Sequence, residues 1–267
     1  MNCSICSHSM SHVFHAQVLS KYEASYQSCP NCGYLKVENP FWLEEAYEDA
    51  IARADTGIVT RNFSIASRLA GIFYFALKQR GDDPALDVAG GYGLLTRLMR
   101  DIGFNFYWMD PYCKNLVAPG FEYSKKIGNC KAITAMEVME HLEDPIGFVR
   151  SQIANVGAKY FIFTTELFKG TPPVPGTWWY YAFETGQHIG FFQRKTLEVM
   201  AKKLGMQFSS ASGIHIFSED PINQRLFKFF ANKYCAPLFA IIVRYIKGSK
   251  TMSDHLMMLN EIQRRDQ

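Results

Sequence analysis

The stretch 86-LDVAGGYGLLTRLM-99 decides how this chain is read. It opens on apolar residues and an acid, Asp87, crosses three glycines at Gly90, Gly91 and Gly93, and continues with apolar residues at helical spacing. A strand that turns into a helix on glycines lets a ligand lie against the backbone. A dinucleotide fingerprint needs G-x-G-x-x-G. Counted from Gly91 and Gly93, the third glycine falls on Thr96; counted from Gly90, the second falls on Tyr92. A phosphate-binding P-loop is excluded because no Gly-Lys-Ser/Thr follows. What remains is a strand ending in Asp87, a glycine corner, and a second acid, Asp110, at the end of the next strand. An acid about 20 residues on has the usual reach for ribose hydroxyls. The pattern suits a nucleoside ligand without a phosphate.

Outward from this corner, residues 85 onward alternate short apolar runs with amphipathic helices. ALDVAG, NFYWMD, KAITAME and KYFIFTTE read as strands; LLTRLMRDIG, PIGFVRSQIANV and 193-QRKTLEVMAKKLG-205 read as helices. Such alternation predicts a Rossmann-like, doubly wound, mostly parallel α/β sheet with helices on both faces. MQFSSASG and IHIF add two strand-like runs. Upstream, 41-FWLEEAYEDAIARAD-55 and about 62-NFSIASRLAGIFYFALKQR-80 read as helices, the second stopped by Gly81 and Pro84. The predicted organisation is a zinc-ribbon-like module at 1–40, a helical linker at 41–80, the α/β domain at 81–218 and a helical extension at 219–267.

Cys3-Ser-Ile-Cys6 and Cys29-Pro-Asn-Cys32 form a CxxC…CxxC array. Four thiolates so spaced can close a tetrahedral shell, which suits structural zinc, and Gly33 supplies the turn after the second pair. A closed shell has no open position for substrate, so its expected work is to stabilise a small module. The 267-residue chain is 48% hydrophobic and 20% charged, with a net charge of +3. That composition fits a globular core and is too mild for nucleic-acid binding on charge alone. No signal peptide and no run of 18 apolar residues is visible, so a cytoplasmic location is expected. Aromatic and basic residues mix in 225-RLFKFFANKYCAPLFAIIVRYIK-247, with Pro237 expected to kink it. Peripheral membrane contact and packing on the core or on a partner subunit both fit that pattern.

LDVAGGYGLLTRLM followed by WMDPY resembles the first two motifs of the class I S-adenosylmethionine-dependent methyltransferases. The stretches 134-TAMEVMEHLEDP-145 and 186-GQHIGFFQRKTLEVMAKKLGM-206 are similar to later motifs of that family, in the same order. Ala89 stands where the family usually has glycine. With the cysteine array and the WWYY segment, the chain also resembles, more loosely, the zinc-ribbon members found with sugar and polysaccharide pathways. The resemblance implies S-adenosylmethionine as cofactor, with Asp87, Gly90, Gly91 and Gly93 at the loop, Asp110 and Pro111 at the ribose, and Glu137 near the sulfonium. It implies methyl transfer to a small-molecule or glycan acceptor.

A hydroxyl or carbon acceptor needs a general base, and histidine is the natural one. His188 is the candidate, with Glu184 the second. Both lie at the end of 171-TPPVPGTWWYYAFETGQH-188, a stretch whose aromatic residues Trp178 to Tyr181 suit a sugar face, a cover or a packed loop. Glu140 and His141 read equally as part of the site or as a helix-start cluster. An RNA methyltransferase using the zinc module is the first alternative. The first 40 residues hold two lysines and no arginine, which argues against it. A non-catalytic cofactor-binding or scaffold protein is the second, motivated by Ala89.

Overall fold

A computed structural model describes residues 1–48 and 55–265. In chain order the elements begin with β1 (Ser11–Val18), β2 (Tyr22–Ser28), β3 (Leu35–Val37), α1 (Leu43–Ala46) and α2 (Ile58–Gly71). The α/β alternation follows: β4 (Ala85–Val88), α3 (Leu94–Ile102), β5 (Phe106–Met109), β6 (Ala132–Ala135), α4 (Pro145–Val156), β7 (Tyr160–Thr164), β8 (Gly190–Phe191) and α5 (Arg194–Leu204). The chain closes with β9 (Gln207–Ala211), β10 (Ile214–Ser218), α6 (Gln224–Phe230), α7 (Ala236–Lys247) and α8 (Thr251–Arg265). Every strand and helix expected between 85 and 218 is present within a few residues.

These elements form two compact units, one of residues 1–55, 135–155 and 159–221, the other of 56–134, 156–158 and 222–267. In the second unit β5, β4 and β6 lie side by side and parallel, with Ala85 opposite Phe106 and Ala132. β4 and β6 are buried at every position, as strands covered on both faces must be. In the first unit β7, β10 and β9 lie side by side in that order. There β10 runs antiparallel to both neighbours. A two-residue turn joins β9 to β10, with φ +49° at Ser212 and +77° at Gly213. Two positive φ values match the twist of a tight hairpin. Pairing is therefore parallel in the second unit, where βαβ crossovers build it, and antiparallel in the first, where a hairpin does.

In the second unit α2 packs on α3 and α7. It begins four residues before the expected start, and at Ile72–Ala76 it widens into a π-helical turn. A Cβ on Gly71 would overlap the ring of Phe230, so glycine lets α6 approach at this point. Pro237 does not kink the C-terminal segment. It sits in the first turn of α7, where a missing N–H costs nothing.

The first unit holds a smaller antiparallel sheet in the order β1-β2-β3-β8. The segment between the cysteine pairs is thus the β1–β2 hairpin. The pairing of Leu35 with Phe191 joins this module to the segment before α5. Its core includes Tyr26, Val37, Trp42, Phe168, Tyr180, Tyr181 and Phe191. The helix expected over 41–55 is seen as the single turn α1 with Trp42 and Ala46 buried, and its remainder falls mostly outside the described residues.

Candidate functional site

The glycine corner lies in the second unit and turns through three left-handed residues: Ala89 at φ +51°, Gly91 at +54° and Gly93 at +86°. Gly93 then caps α3. Gly90 has a different reason to be glycine. A Cβ there would stand 2.7 Å from the Trp108 ring and 2.9 Å from Asp87 Oδ2. Two residues of β5 and its end brace the corner. The Trp108 indole donates to the Gly91 carbonyl at 3.0 Å. Asp110 Oδ2 accepts from the Gly91 N–H at 2.9 Å, and Oδ1 accepts from the N–H groups of Tyr112 and Cys113 at 2.8 and 2.9 Å. A carboxylate has about four acceptor directions, so roughly one remains on Asp110. Pro111 is exposed beside it.

Asp87 does not hold the loop amides. Its oxygens accept from the Thr134 hydroxyl at 2.7 Å and the Thr96 hydroxyl at 3.3 Å. Burial pushes its carboxyl up to about 7; the two hydroxyls pull against that shift and the charge of Asp110 adds to it. Thr96, which broke the dinucleotide pattern, is fully buried and serves Asp87. Sequence spacing located the corner but gave no sign of Trp108 or Thr134, whose partners are set by strand register.

A second constellation lies entirely in the first unit. Glu137 follows β6 with φ +56°, a strained value for a residue with a Cβ, and its N–H donates to Thr164 Oγ1 at 2.9 Å. Three residues on, a 3₁₀ turn over Met139–His141 carries Glu140 and His141. The Ile189 N–H donates to the Glu140 carbonyl at 2.8 Å, which brings the 188–189 segment alongside. One ligand atom each from Glu140, His141 and His188 lies within 4.8 Å of the others. The two imidazole rings stand 4.8 Å apart at 88°.

The Glu140 side chain is fully buried, and among the described residues neither carboxylate oxygen has a hydrogen-bond partner. The Tyr180 and Thr165 hydroxyls bond to each other at 3.1 Å and approach it without reaching that geometry. Burial, then the charge of Glu137, pushes the Glu140 carboxyl up to about 8. His141 Nδ1 meets the Tyr47 hydroxyl at 2.8 Å, and its Nε2 lies 4.0 Å from Glu140 Oε1. Burial, then His188, drives His141 down to about 3. His188 Nδ1 lies 2.7 Å from the Tyr180 carbonyl. A carbonyl only accepts, so Nδ1 carries a proton.

Glu184, the other candidate base, is exposed. Of the aromatic run, Tyr180 and Tyr181 are core residues at 1% exposure, whereas Trp179 is 77% exposed. Tyr47 was missed as a site residue: it is 94 positions from His141, and no local pattern links them.

The four sulfurs of Cys3, Cys6, Cys29 and Cys32 also lie within 4.8 Å of one another, with Cys3–Cys32 at 3.6 Å and Cys6–Cys29 at 3.4 Å. A tetrahedron with bonds of about 2.3 Å has edges of about 3.8 Å, close to these separations. Each knuckle is closed by a backbone bond four residues long, Ser7 N–H to Cys3 O at 2.8 Å and Gly33 N–H to Cys29 O at 2.9 Å. The donor set fits a tetrahedral thiophilic cation.

Three solved structures illustrate what the chain is similar to. TnmH shares 16% identity over 68% of this chain and 62% of its own, with a TM-score of 0.45. The mitomycin 7-O-methyltransferase MmcR shares 16% over 66% and 59%, with a TM-score of 0.42. An O-methyltransferase family protein from Burkholderia thailandensis shares 11% over 66% and 61%, with a TM-score of 0.48. The chain spans about three fifths of the length of these structures. No curated protein matches it. A family model described as "Methyltransferase domain" matches residues 63–210, more than half of the chain, from α2 through β9. That span contains the glycine corner, the strand-end acid and the Glu-His turn in family order, and the chain belongs to this family of methyltransferase domains.

Proposed function

We propose that the protein transfers the methyl group of S-adenosylmethionine to a hydroxyl of a small molecule, a sugar or glycan precursor. The observation that carries this reading is the braced glycine corner within the family-matched span. Gly91 lets the backbone lie against the amino-acid end of the cofactor, while Gly93, where a Cβ would meet Asn115, makes the turn into α3. Asp110 offers Oδ2 to one ribose hydroxyl rather than gripping both, because its other directions hold the loop. Pro111 flanks the ribose, and Glu137 is assigned to the sulfonium region.

In the transfer, the acceptor oxygen forms a bond to the methyl carbon, the carbon–sulfur bond breaks, and its electron pair stays on sulfur as a thioether. The acceptor's proton must leave as this happens. His188 receives it on Nε2, with Nδ1 turned to the Tyr180 carbonyl. Glu184 is left as an accessory group at the rim. Trp179, the exposed member of the aromatic run, is available to a sugar face.

Zinc at the four cysteines holds the small sheet. The exposed apolar face of α7, among basic residues, rests on an anionic lipid surface. A cytoplasmic setting fits four reduced thiolates.

Calorimetry with S-adenosylmethionine tests the reading. We expect saturable heat from the wild type, at least tenfold weaker binding in Asp110→Ala, and unchanged binding in His188→Ala. With an accepted sugar, His188→Ala should lose about 10²–10⁴-fold in kcat. No heat at millimolar cofactor overturns the proposal.

A further inference from the structure

We propose that Glu140, His141 and His188 form a binding site for a divalent transition-metal cation, separate from the four-cysteine centre. The donor set is one carboxylate and two imidazoles, gathered within 4.8 Å. Two imidazoles favour a transition metal over magnesium or calcium, which prefer all-oxygen shells. Three protein ligands leave at least one position open.

Three features point to a ligand that the described residues do not themselves supply. First, both oxygens of the fully buried Glu140 are unpartnered. A buried carboxylate without a partner is costly, and a bound cation removes that cost. Second, each imidazole has its Nδ1 occupied, by the Tyr47 hydroxyl at 2.8 Å and the Tyr180 carbonyl at 2.7 Å. Metal-bound histidines are oriented by such outer hydrogen bonds on the nitrogen that does not face the metal. Third, the Nε2 of His141 lies 4.0 Å from Glu140 Oε1, with the two rings nearly perpendicular at 88°. Ligands bound at about 2.1 Å stand about 3.0–3.4 Å apart, so side-chain movements of about 1 Å close the shell.

The cation's role rests on the methyl-transfer reading; its binding does not. In the cation-loaded protein His188 is a ligand, so the base role given to it above belongs to the cation-free protein. A hydroxyl on the open position would gain acidity and lose its proton to water more readily.

The test is titration with Mn²⁺ of the full chain carrying one zinc equivalent, which the four cysteines hold, following loss of the free-ion signal by electron paramagnetic resonance. Mn²⁺ favours nitrogen and oxygen over thiolate, so it reads this site and not the cysteines. We expect one site per chain. Glu140→Gln and His188→Ala should each weaken it at least tenfold, and Tyr47→Phe by about 10–100-fold. Cys113→Ser, remote from the cluster in sequence, should leave it unchanged. Circular dichroism and zinc content check folding; His188→Ala carries the test if Glu140→Gln misfolds.

A wild type with no site below millimolar, or variants that bind Mn²⁺ as the wild type does, overturns the proposal. Mn²⁺ binding without S-adenosylmethionine binding would keep the cation site and remove the methyl-transfer reading. Methyl transfer without an Mn²⁺ site would do the reverse and restore His188 as the base.

Discussion

Ala89 adopts φ +51° in the corner where the family usually places glycine. A left-handed residue with a Cβ costs about 1–2 kcal/mol. Glycine there removes that strain but loosens the unfolded chain by about 0.4–1 kcal/mol. Ala89→Gly should therefore stabilise the protein by up to about 1 kcal/mol in urea denaturation, with cofactor binding retained. Asp87 argues in the other direction. Its carboxyl is raised from 3.8 to about 7 by burial, so the folded state favours the protonated form. Stability from this group is complete below the unfolded value near 3.8 and is lost as pH rises through about 7. The loss is at most about 4 kcal/mol, at 1.36 kcal/mol per unit. Asp87→Asn should flatten the fall in urea midpoint between pH 5 and pH 8. An unchanged slope would assign that pH dependence to another group.

Among the elements, those of the α/β core were legible because each carries its own punctuation. Gly93 starts α3, Gly103 and Gly205 end α3 and α5 in left-handed caps, and the apolar runs between them are too short for buried helices. The four-cysteine array was legible because its spacing is local. The Glu140–His141–His188 cluster was only half legible. Each residue stood in a quoted motif, but the turn and β8 bring them together through the Ile189–Glu140 bond. The roles of Tyr180 and Tyr181 were hidden for the same reason: their core partners include Tyr26 on β2, far away in sequence.

Nor did any pattern announce how α8 is anchored to α3. Asp254 takes a paired grip from Arg100 at 2.7 and 2.8 Å and a bond from Arg97 at 2.8 Å. Arg100 and Asp254 are 6% and 7% exposed. Removing one partner strands a buried charge, so Asp254→Ala should cost about 3–5 kcal/mol in urea denaturation at pH 7. Burial opposes ionisation of Asp254, but Arg100 and Arg97 hold its carboxyl below 3.8. Its contribution is present above the unfolded value and is lost as pH falls through the lower folded one. Asp254→Asn should accordingly remove part of the acid limb.

At the scale of the whole molecule, charge is divided along the chain. Residues 222–253 hold six basic side chains and no acid, against 22 basic and 25 acidic side chains elsewhere. On α7 the inward face is Ala236, Ala240 and Val243, while Leu238 is 62%, Ile241 67% and Tyr245 91% exposed. The exposed set follows a spacing of three and four and forms one apolar stripe. Arg225, Lys228, Lys233 and Arg244 are exposed with it. No described helix is long and apolar enough to cross a membrane. A helix lying in an interface needs only such a stripe with basic neighbours. Each basic side chain near an anionic surface contributes about 1 kcal/mol, and each buried large apolar side chain about 1.5–3 kcal/mol. The protein should co-sediment with vesicles containing phosphatidylserine and not with phosphatidylcholine alone. Added salt should release it, because the basic term is screened. Ile241→Glu with Tyr245→Glu should cut vesicle binding at least tenfold without changing the melting temperature, since both side chains face outward. Equal binding to neutral vesicles, or none to anionic ones, would return α7 to the role of a surface helix.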